Sequence, residues 1–390
     1  MDQKKSRRTF IEFGLKSGLA LPFLATGLMG CESETKGDKE TTTTQKLKIL
    51  ILGGTSFLGP HQIAYALQRG HTVTTFTRGK TKPSIYPDLF EKVEQLIGDR
   101  QDNLTALENR KWDVVIDNSG HKVEWAEKSA KLLKDQCELY LYTSSTGVYY
   151  PYTGEDYKED AKVLLERPAD AKEIEKMEYD YGVMKANSEL SVQKYFGEDR
   201  TIIVRPTYMI GPADKTNRFI YWPLSLSQGK ETIVPGKDTD PVQYLDVRDA
   251  AEFMIRLLED KKTGTYNAVG PESAQDIKGF TELAQKTFDV ENTFVRIDDY
   301  DFLEAQEVYY IVPWIPPTGN NAGSSKANNQ KARNNGLTFR SLTDSIIDTL
   351  DWWNSDLVGQ KARDEYLADK TTVLARTPEI IKEWKSRKKG

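Results

Sequence analysis

Residues 47–52 form an almost wholly apolar run that stops abruptly at Gly53-Gly54. A run of that length bounded by glycine predicts a strand buried on both faces of a parallel sheet. Residues 57–70 follow with helical spacing: Ile63 and Leu67 stand one turn apart and Gly70 supplies the stop. Strand, glycine turn and helix in that order open a dinucleotide-binding βαβ unit, in which the N–H groups at the helix start face a pyrophosphate. Further apolar runs at 72–77, 93–97, 113–117, 139–143 and 201–205 predict strands, and the segments between them are long enough for crossover helices. The alternation predicts an α/β fold with a doubly wound parallel sheet. Beyond Pro206 the pattern is less regular. Leu342, Ile346 and Leu350 mark an amphipathic packing helix that runs into Trp352-Trp353. Tyr309, Tyr310 and Trp314 cluster in a segment broken by Pro313, Pro316 and Pro317, where core packing is the commoner use and stacking on a sugar the alternative.

The first 46 residues lie outside this pattern. Ser6-Arg7-Arg8-Thr9-Phe10-Ile11 is a twin-arginine motif, followed by a moderately apolar run that ends Leu-Met-Gly-Cys at Cys31. The reading is a Tat-type export signal over 1–30, with Cys31 as the lipid-bearing first residue of a cell-envelope or periplasmic lipoprotein. Residues 31–46 lack large apolar groups and read as a flexible tether. The expected organisation is then a nucleotide-binding core at 47–206, to which 241–270 returns, and a smaller substrate lobe from 207–240 and 271–390. The chain carries a formal charge of −5, and removing the basic leader takes the mature protein to about −8. That sign argues against a nucleic-acid binder. With Cys31 lipidated, Cys137 has no partner and reads as a small buried residue. His61, His71 and His121 show no metal-ligand spacing, so no metal site is expected.

The candidate chemistry follows the strands. The loop from Gly53 through Ser56 to Gly59 carries serine where such fingerprints place their middle glycine. NAD-binding folds keep a carboxylate after the second strand. Here Arg78-Gly79-Lys80 follows, and Arg78 could pair with a 2′-phosphate, which leans the cofactor towards NADP over NAD. Asp99 ends the third strand and either bonds an adenine amine or caps the next turn. Tyr181 and Lys185 are four apart, on one helix face. A nearby ammonium favours the phenolate, which would make Tyr181 a general base, with Ser145 orienting the substrate hydroxyl.

GGTSFLG (53–59), GDRQD (98–102), SSTGVY (144–149), YGVMK (181–185), RPTYMIGP (205–212) and TYNAVG (265–270) together resemble the extended short-chain dehydrogenase/reductases, also called NAD-dependent epimerase/dehydratases. The resemblance covers roughly 47–350 and implies a Rossmann core with a C-terminal substrate lobe. It implies Ser145, Tyr181 and Lys185 as catalytic, with Lys185 also holding the nicotinamide ribose. Gly53, Thr55, Ser56, Phe57, Leu58, Gly59, Asp99, Arg100 and Asn118 would serve the cofactor. Arg218, Tyr221 and Gln243 fall in substrate-binding stretches. The implied reaction is epimerisation, or another step through a transient ketone, on a sugar, glycoside or sugar nucleotide. Two departures stand out: Ser56, and Asp117-Asn118-Ser119-Gly120 in place of an apolar-Ala-Ala strand end. NRFIYWP (217–223) and PVQYLDVRD (241–249) resemble a branch that includes chloroplast stem-loop RNA-binding proteins. A net reductase and a non-catalytic binding protein are therefore the alternatives, and a homodimer is left open.

Overall fold

A computed structural model describes residues 45–387. The expected export signal, Cys31 and most of the expected tether lie outside the described residues.

Seven parallel strands form the main sheet, in the order β3, β2, β1, β4, β5, β6, β10. They are β1 (Lys48–Leu52), β2 (Thr72–Thr77), β3 (Glu94–Ile97), β4 (Val114–Asp117), β5 (Leu139–Thr143), β6 (Thr201–Pro206) and β10 (Gly264–Ala268). Each central strand is apolar on both faces because helices cover both. Ile49 and Ile51 pack with the layer of α1 (Leu58–Gln68) and α5 (Val247–Glu259). Leu50 and Leu52 pack with that of α2 (Val123–Leu133) and α3 (Lys176–Phe196). The direction of winding reverses between β1 and β4, and in such sheets the crevice beyond the strand ends at that point takes the ligand.

Two crossovers lack the expected helix. Residues 78–93 turn at Gly79 and carry Pro83 and Pro87, so only a short 3-10 helix, Pro87–Lys92, forms. Residues 98–113 are taken up by an Asp99–Asn103 bridge and a turn at Thr105–Leu107. The return to the core also begins later than expected. β9 (Pro241–Asp246) pairs with β7 (Met209–Ile210) and β11 (Gly270–Asp276) in a separate three-stranded sheet, and the chain rejoins the core at α5.

Outside the main sheet the chain adds α4 (Tyr221–Leu226), α6 (Ile277–Ala284), α7 (Tyr300–Ala305) and the parallel pair β8 (Glu231–Pro235) and β12 (Thr293–Ile297). The C-terminal part supplies α8 (Gln330–Asn334), α9 (Leu342–Asn354), α10 (Gln360–Ala368) and α11 (Val373–Arg387). Trp222, Trp314, Phe280 and Phe302 fill the core among these elements. The aromatic cluster of 309–314 is divided: Trp314 is buried and donates to Asp240 (2.8 Å), whereas Tyr309 and Tyr310 remain 55 % and 51 % exposed. Trp352 and Trp353 pack inward.

At the opening of α1, Gly54 and Gly59 lie backbone to backbone. A Cβ on Gly59 would stand 2.3 Å from Gly54 Cα, with no flexible side chain to yield. Gly59→Ala should therefore lower stability by about 1–3 kcal/mol and weaken nucleotide binding. Urea unfolding and a nucleotide titration on the same preparation check both.

Candidate active site

The glycine loop is built by backbone conformation. Gly53 and Gly54 have φ of 105° and 110°, a region that side chains with a Cβ avoid. Gly53 N donates to Phe76 O (2.9 Å), which fixes the loop against β2. The following helix starts with no capping side chain and no acidic residue in its first turn. Its dipole is thus left for an anion. Ser84 clasps the loop from outside: its N donates to Thr55 O (3.1 Å) and its Oγ accepts from Phe57 N (3.2 Å). Trp352 Nε1 in turn donates to Ser84 O (3.1 Å). Leu58 sends its side chain into the core, so only its backbone can serve a ligand.

A cleft of about 230 Å3 runs from this loop across the ends of β2, β3 and β4. Gly53, Thr55 and Ser56 line one end, Arg78, Lys80 and Asp99 the other, and Asn118 and His121 the floor. The close-packed glycines, the uncapped helix start and the cationic far end fit a nicotinamide dinucleotide. Asp99 does what a turn cap does, its Oδ1 accepting from Gln101 N (3.0 Å) while it lines the cleft. Asn118 is held at both ends of its amide, accepting from Thr143 Oγ1 (2.8 Å) and donating to Gln62 Oε1 (2.6 Å). Gln62 and Thr143 were not among the sequence candidates.

Arg100 is corrected. It borders the cleft, but its guanidinium is buried in a network beneath the strand ends. It forks onto Asp117 and also donates to Trp125 O (2.9 Å) and Ser129 Oγ (3.0 Å). Tyr140 donates to the same carboxylate (2.6 Å). The polar end of β4 and Arg100 explain each other: a carboxylate with no solvent exposure requires the cation.

Ser145, Tyr181 and Lys185 converge where β5 ends. Ser145 Oγ accepts from Gly147 N (3.0 Å), which fixes its rotamer. The Tyr181 ring lies over Gly147, where an added Cβ would be 2.9 Å from Cε1. On the next turn face Gly182 approaches Gly147 O, where its own Cβ would come to 2.5 Å. Two glycines therefore let α3 close onto the serine loop. Ser145 stands near enough to Tyr181 to lower the pKa of its phenol.

The electrostatics differ from the expectation. Tyr181 is 40 % exposed as a residue, but burial around its hydroxyl still raises the phenol pKa. The groups that work against this are Ser145, by its nearness, and Arg218, through its charge; Lys185 is not among them. Lys185 is instead buried, donating to Thr143 O (2.9 Å) with its ammonium 5.0 Å from the Tyr142 ring centroid. Burial lowers its pKa to about 8, against the opposing charges of Asp117 and Glu189.

Of the substrate candidates, Arg218 alone reaches this place. It ion-pairs with Asp214 (3.2 Å) and lies 5.9 Å from the Phe57 ring centroid. Tyr221 is buried, and its hydroxyl donates to Ile233 O (3.1 Å) and accepts from Ile233 N (2.8 Å), so only its ring is left to border a ligand. Gln243 is corrected: its amide holds Ala327 through both O and N (2.8 and 3.1 Å) and ties a loop to β9. Cys137 is buried and its thiol pKa is pushed up to about 12 by burial, which leaves no nucleophile there. Among the described residues, no group of three His, Cys, Asp or Glu is placed to hold a metal.

Residues 49–269, more than half of the chain, match the NAD dependent epimerase/dehydratase family. The protein belongs to that family. A curated relative, the chloroplast stem-loop binding protein of 41 kDa b of Arabidopsis thaliana, is 27 % identical over 315 residues, covering 73 % of this chain and 79 % of its own. Among solved structures, UDP-glucose 4-epimerase superposes with a TM-score of 0.59 at 16 % identity, covering 78 % of this chain and 97 % of that one. The UDP-glucuronic acid 4-epimerase of Bacillus cereus, solved with NAD, gives 0.55 at 16 %, covering 78 % and 96 %. These likenesses establish the Rossmann-type α/β fold of an epimerase/dehydratase family member.

Lys185 gives this family member a pH signature. With a folded pKa near 8 against 10.5 for an ordinary lysine, the unfolded chain binds the extra proton between those values. Stability from this group therefore rises with pH across that window. The difference in unfolding free energy between the native protein and Lys185→Met should grow by roughly 2–3 kcal/mol from pH ~8 to ~10.5. Parallel urea titrations measure it, and a flat difference refutes the assignment.

Proposed function

We propose that the protein oxidises a hydroxyl of a sugar, glycoside or sugar nucleotide and returns the hydride to the same ring. This is an epimerase- or dehydratase-like reaction through a transient ketone. The observation that carries it is the Ser145–Tyr181 pair, seated by glycine packing at the strand ends beside the nucleotide cleft. When bound, a nicotinamide dinucleotide supplies the hydride acceptor and returns what it takes. Ser145 holds the substrate hydroxyl while Tyr181 removes its proton. Burial holds the Tyr181 phenol above its ordinary range, and Ser145 and the Arg218 charge act against that, towards the phenolate. Lys185, with its head group beside Thr143 O, is the residue placed to hold the nicotinamide ribose. Arg78 and Lys80 at the far end of the cleft support NADP over NAD, and that choice rests on them alone, since the named B. cereus neighbour holds NAD.

The twin-arginine motif and Cys31 support export and lipid attachment. Outside the cytoplasm a net dehydrogenase would need something to recycle its cofactor, whereas a closed redox cycle returns the nucleotide to its starting state each turn. A second reading, a Rossmann protein that binds RNA, has the name of the plant relative in its favour. The acidic mature chain opposes it, because phosphate-backbone binding draws on clustered basic charge.

Mature protein purified without stripping should carry close to one nucleotide per chain and turn over without added cofactor. Tyr181→Phe should lower turnover by about 10²- to 10⁴-fold while retaining the nucleotide. Stoichiometric consumption of added NADPH would identify a net reductase instead. Arg78→Ala should narrow the preference for NADP over NAD by about tenfold, and titration showing NAD preferred by the unaltered protein ends the NADP assignment.

A further inference from the structure

A second cleft of about 260 Å3 opens outside the main sheet, apart from the nucleotide cleft. Its walls come from residues 216–221, 307–311 and 366–374, and the last two segments lie beyond the part of the chain that matches the family. Tyr309, Tyr310 and Tyr366 line it, with the hydroxyls of Thr371 and Thr372 between them. Tyr309 and Tyr310 present more than half of their surface to the outside, although each is a large ring that a folded chain would ordinarily cover.

Arg218 connects this cleft to the catalytic pair. It lines the cleft, its charge reaches the Tyr181 hydroxyl, and its guanidinium stands over Phe57 of the glycine loop. Tyr208, whose phenol pKa is pushed up to about 12 chiefly by burial, lies near enough to Tyr181 and Tyr310 for both to add to that shift. Arg218 thus borders both this cleft and the glycine loop, and a molecule lying along it would reach the tyrosines.

The charge of the cleft limits what that extension can be. Among the described residues lining it, Arg218 is the cation and Glu307 the anion, so the wall is neutral overall. The Arg218 charge is already answered by Asp214, a buried carboxylate that also accepts from Thr216 N (3.0 Å). A diphosphate brings two negative charges and needs cations or several unpaired N–H groups to replace its water. The Glu307 carboxylate adds repulsion. An uncharged ring needs only flat apolar faces and hydroxyl partners, which the tyrosines supply.

We infer that, of the substrate classes in the proposed function, this protein acts on a neutral glycoside, whose second uncharged ring stacks on Tyr309 and Tyr310, and not on a sugar nucleotide. The inference rests on the reading of Ser145 and Tyr181 as the redox pair.

The test uses mature protein with its co-purified nucleotide. Calorimetric titrations with 4-nitrophenyl glucosides and galactosides, with cellobiose and lactose, and with UDP-glucose and UDP compare the two ligand classes. The near-ultraviolet absorbance of the reduced nicotinamide is followed in parallel. At least one neutral glycoside should bind about tenfold tighter than either uridine ligand. The double variant Tyr309→Ala/Tyr310→Ala should lose about tenfold of that affinity, while its nucleotide content shows that it has folded. Tighter binding of UDP-glucose, or neutral glycosides binding equally to the variant, overturns the inference. A failure of the redox reading shows separately, as absorbance that no sugar changes, and the calorimetric ranking still decides the occupant of the cleft.

Discussion

The site depends on one buried ion pair. Glu189 follows Tyr181 and Lys185 at successive four-residue steps along α3, so all three stand on the face turned to the sheet. Its carboxylate receives Arg205 of β6 through two bonds (2.9 and 2.6 Å), and Ser144, the neighbour of Ser145, donates to the same group. Arg205 also donates to the Tyr149 hydroxyl (2.8 Å), which donates to Asn267 of β10 (2.8 Å). Helix, serine loop and two strands are thereby fixed to one another through charges that have almost no access to water. Deleting either partner would strand the other's charge, at a cost of roughly 3–5 kcal/mol. The pair thus enforces the meeting of Ser145 and Tyr181.

Much of this was legible in the sequence, because local patterns record local requirements. Double-sided burial leaves an unbroken apolar run, and a positive-φ turn leaves glycine, so β1 and its loop could be read directly. The quoted motifs also contain the ion-pair network, since Arg205, Tyr149 and Asn267 sit inside RPTYMIGP, SSTGVY and TYNAVG. Their mutual contact could not be read, because it forms between strands distant in the chain. Glu189 left one trace, a carboxylate four residues beyond Lys185 on the inward face of a helix.

The misreadings share a cause. Arg100 and Gln243 are polar residues in the right stretches, and a sequence does not show whether a polar atom is already satisfied by the fold. Arg100 is spent on Asp117 and Gln243 on Ala327. The same blindness applied to Lys185, whose partner is a carbonyl at the end of β5 and not the tyrosine one turn away. Composition could not divide the aromatic cluster of 309–314 either. Only packing shows that Trp314 joins the core while the two tyrosines beside it are left facing out.

The clasp of Ser84 on the glycine loop has a consequence for the order of events in the cell. The loop belongs to the first tenth of the folded chain, yet the tryptophan that braces its clasp lies almost three hundred residues later. A ribosome presenting only the first half of this protein presents a nucleotide loop without its brace. The bond from Trp352 to Ser84 can form only once α9 has emerged and docked, so the clasp is braced late in synthesis.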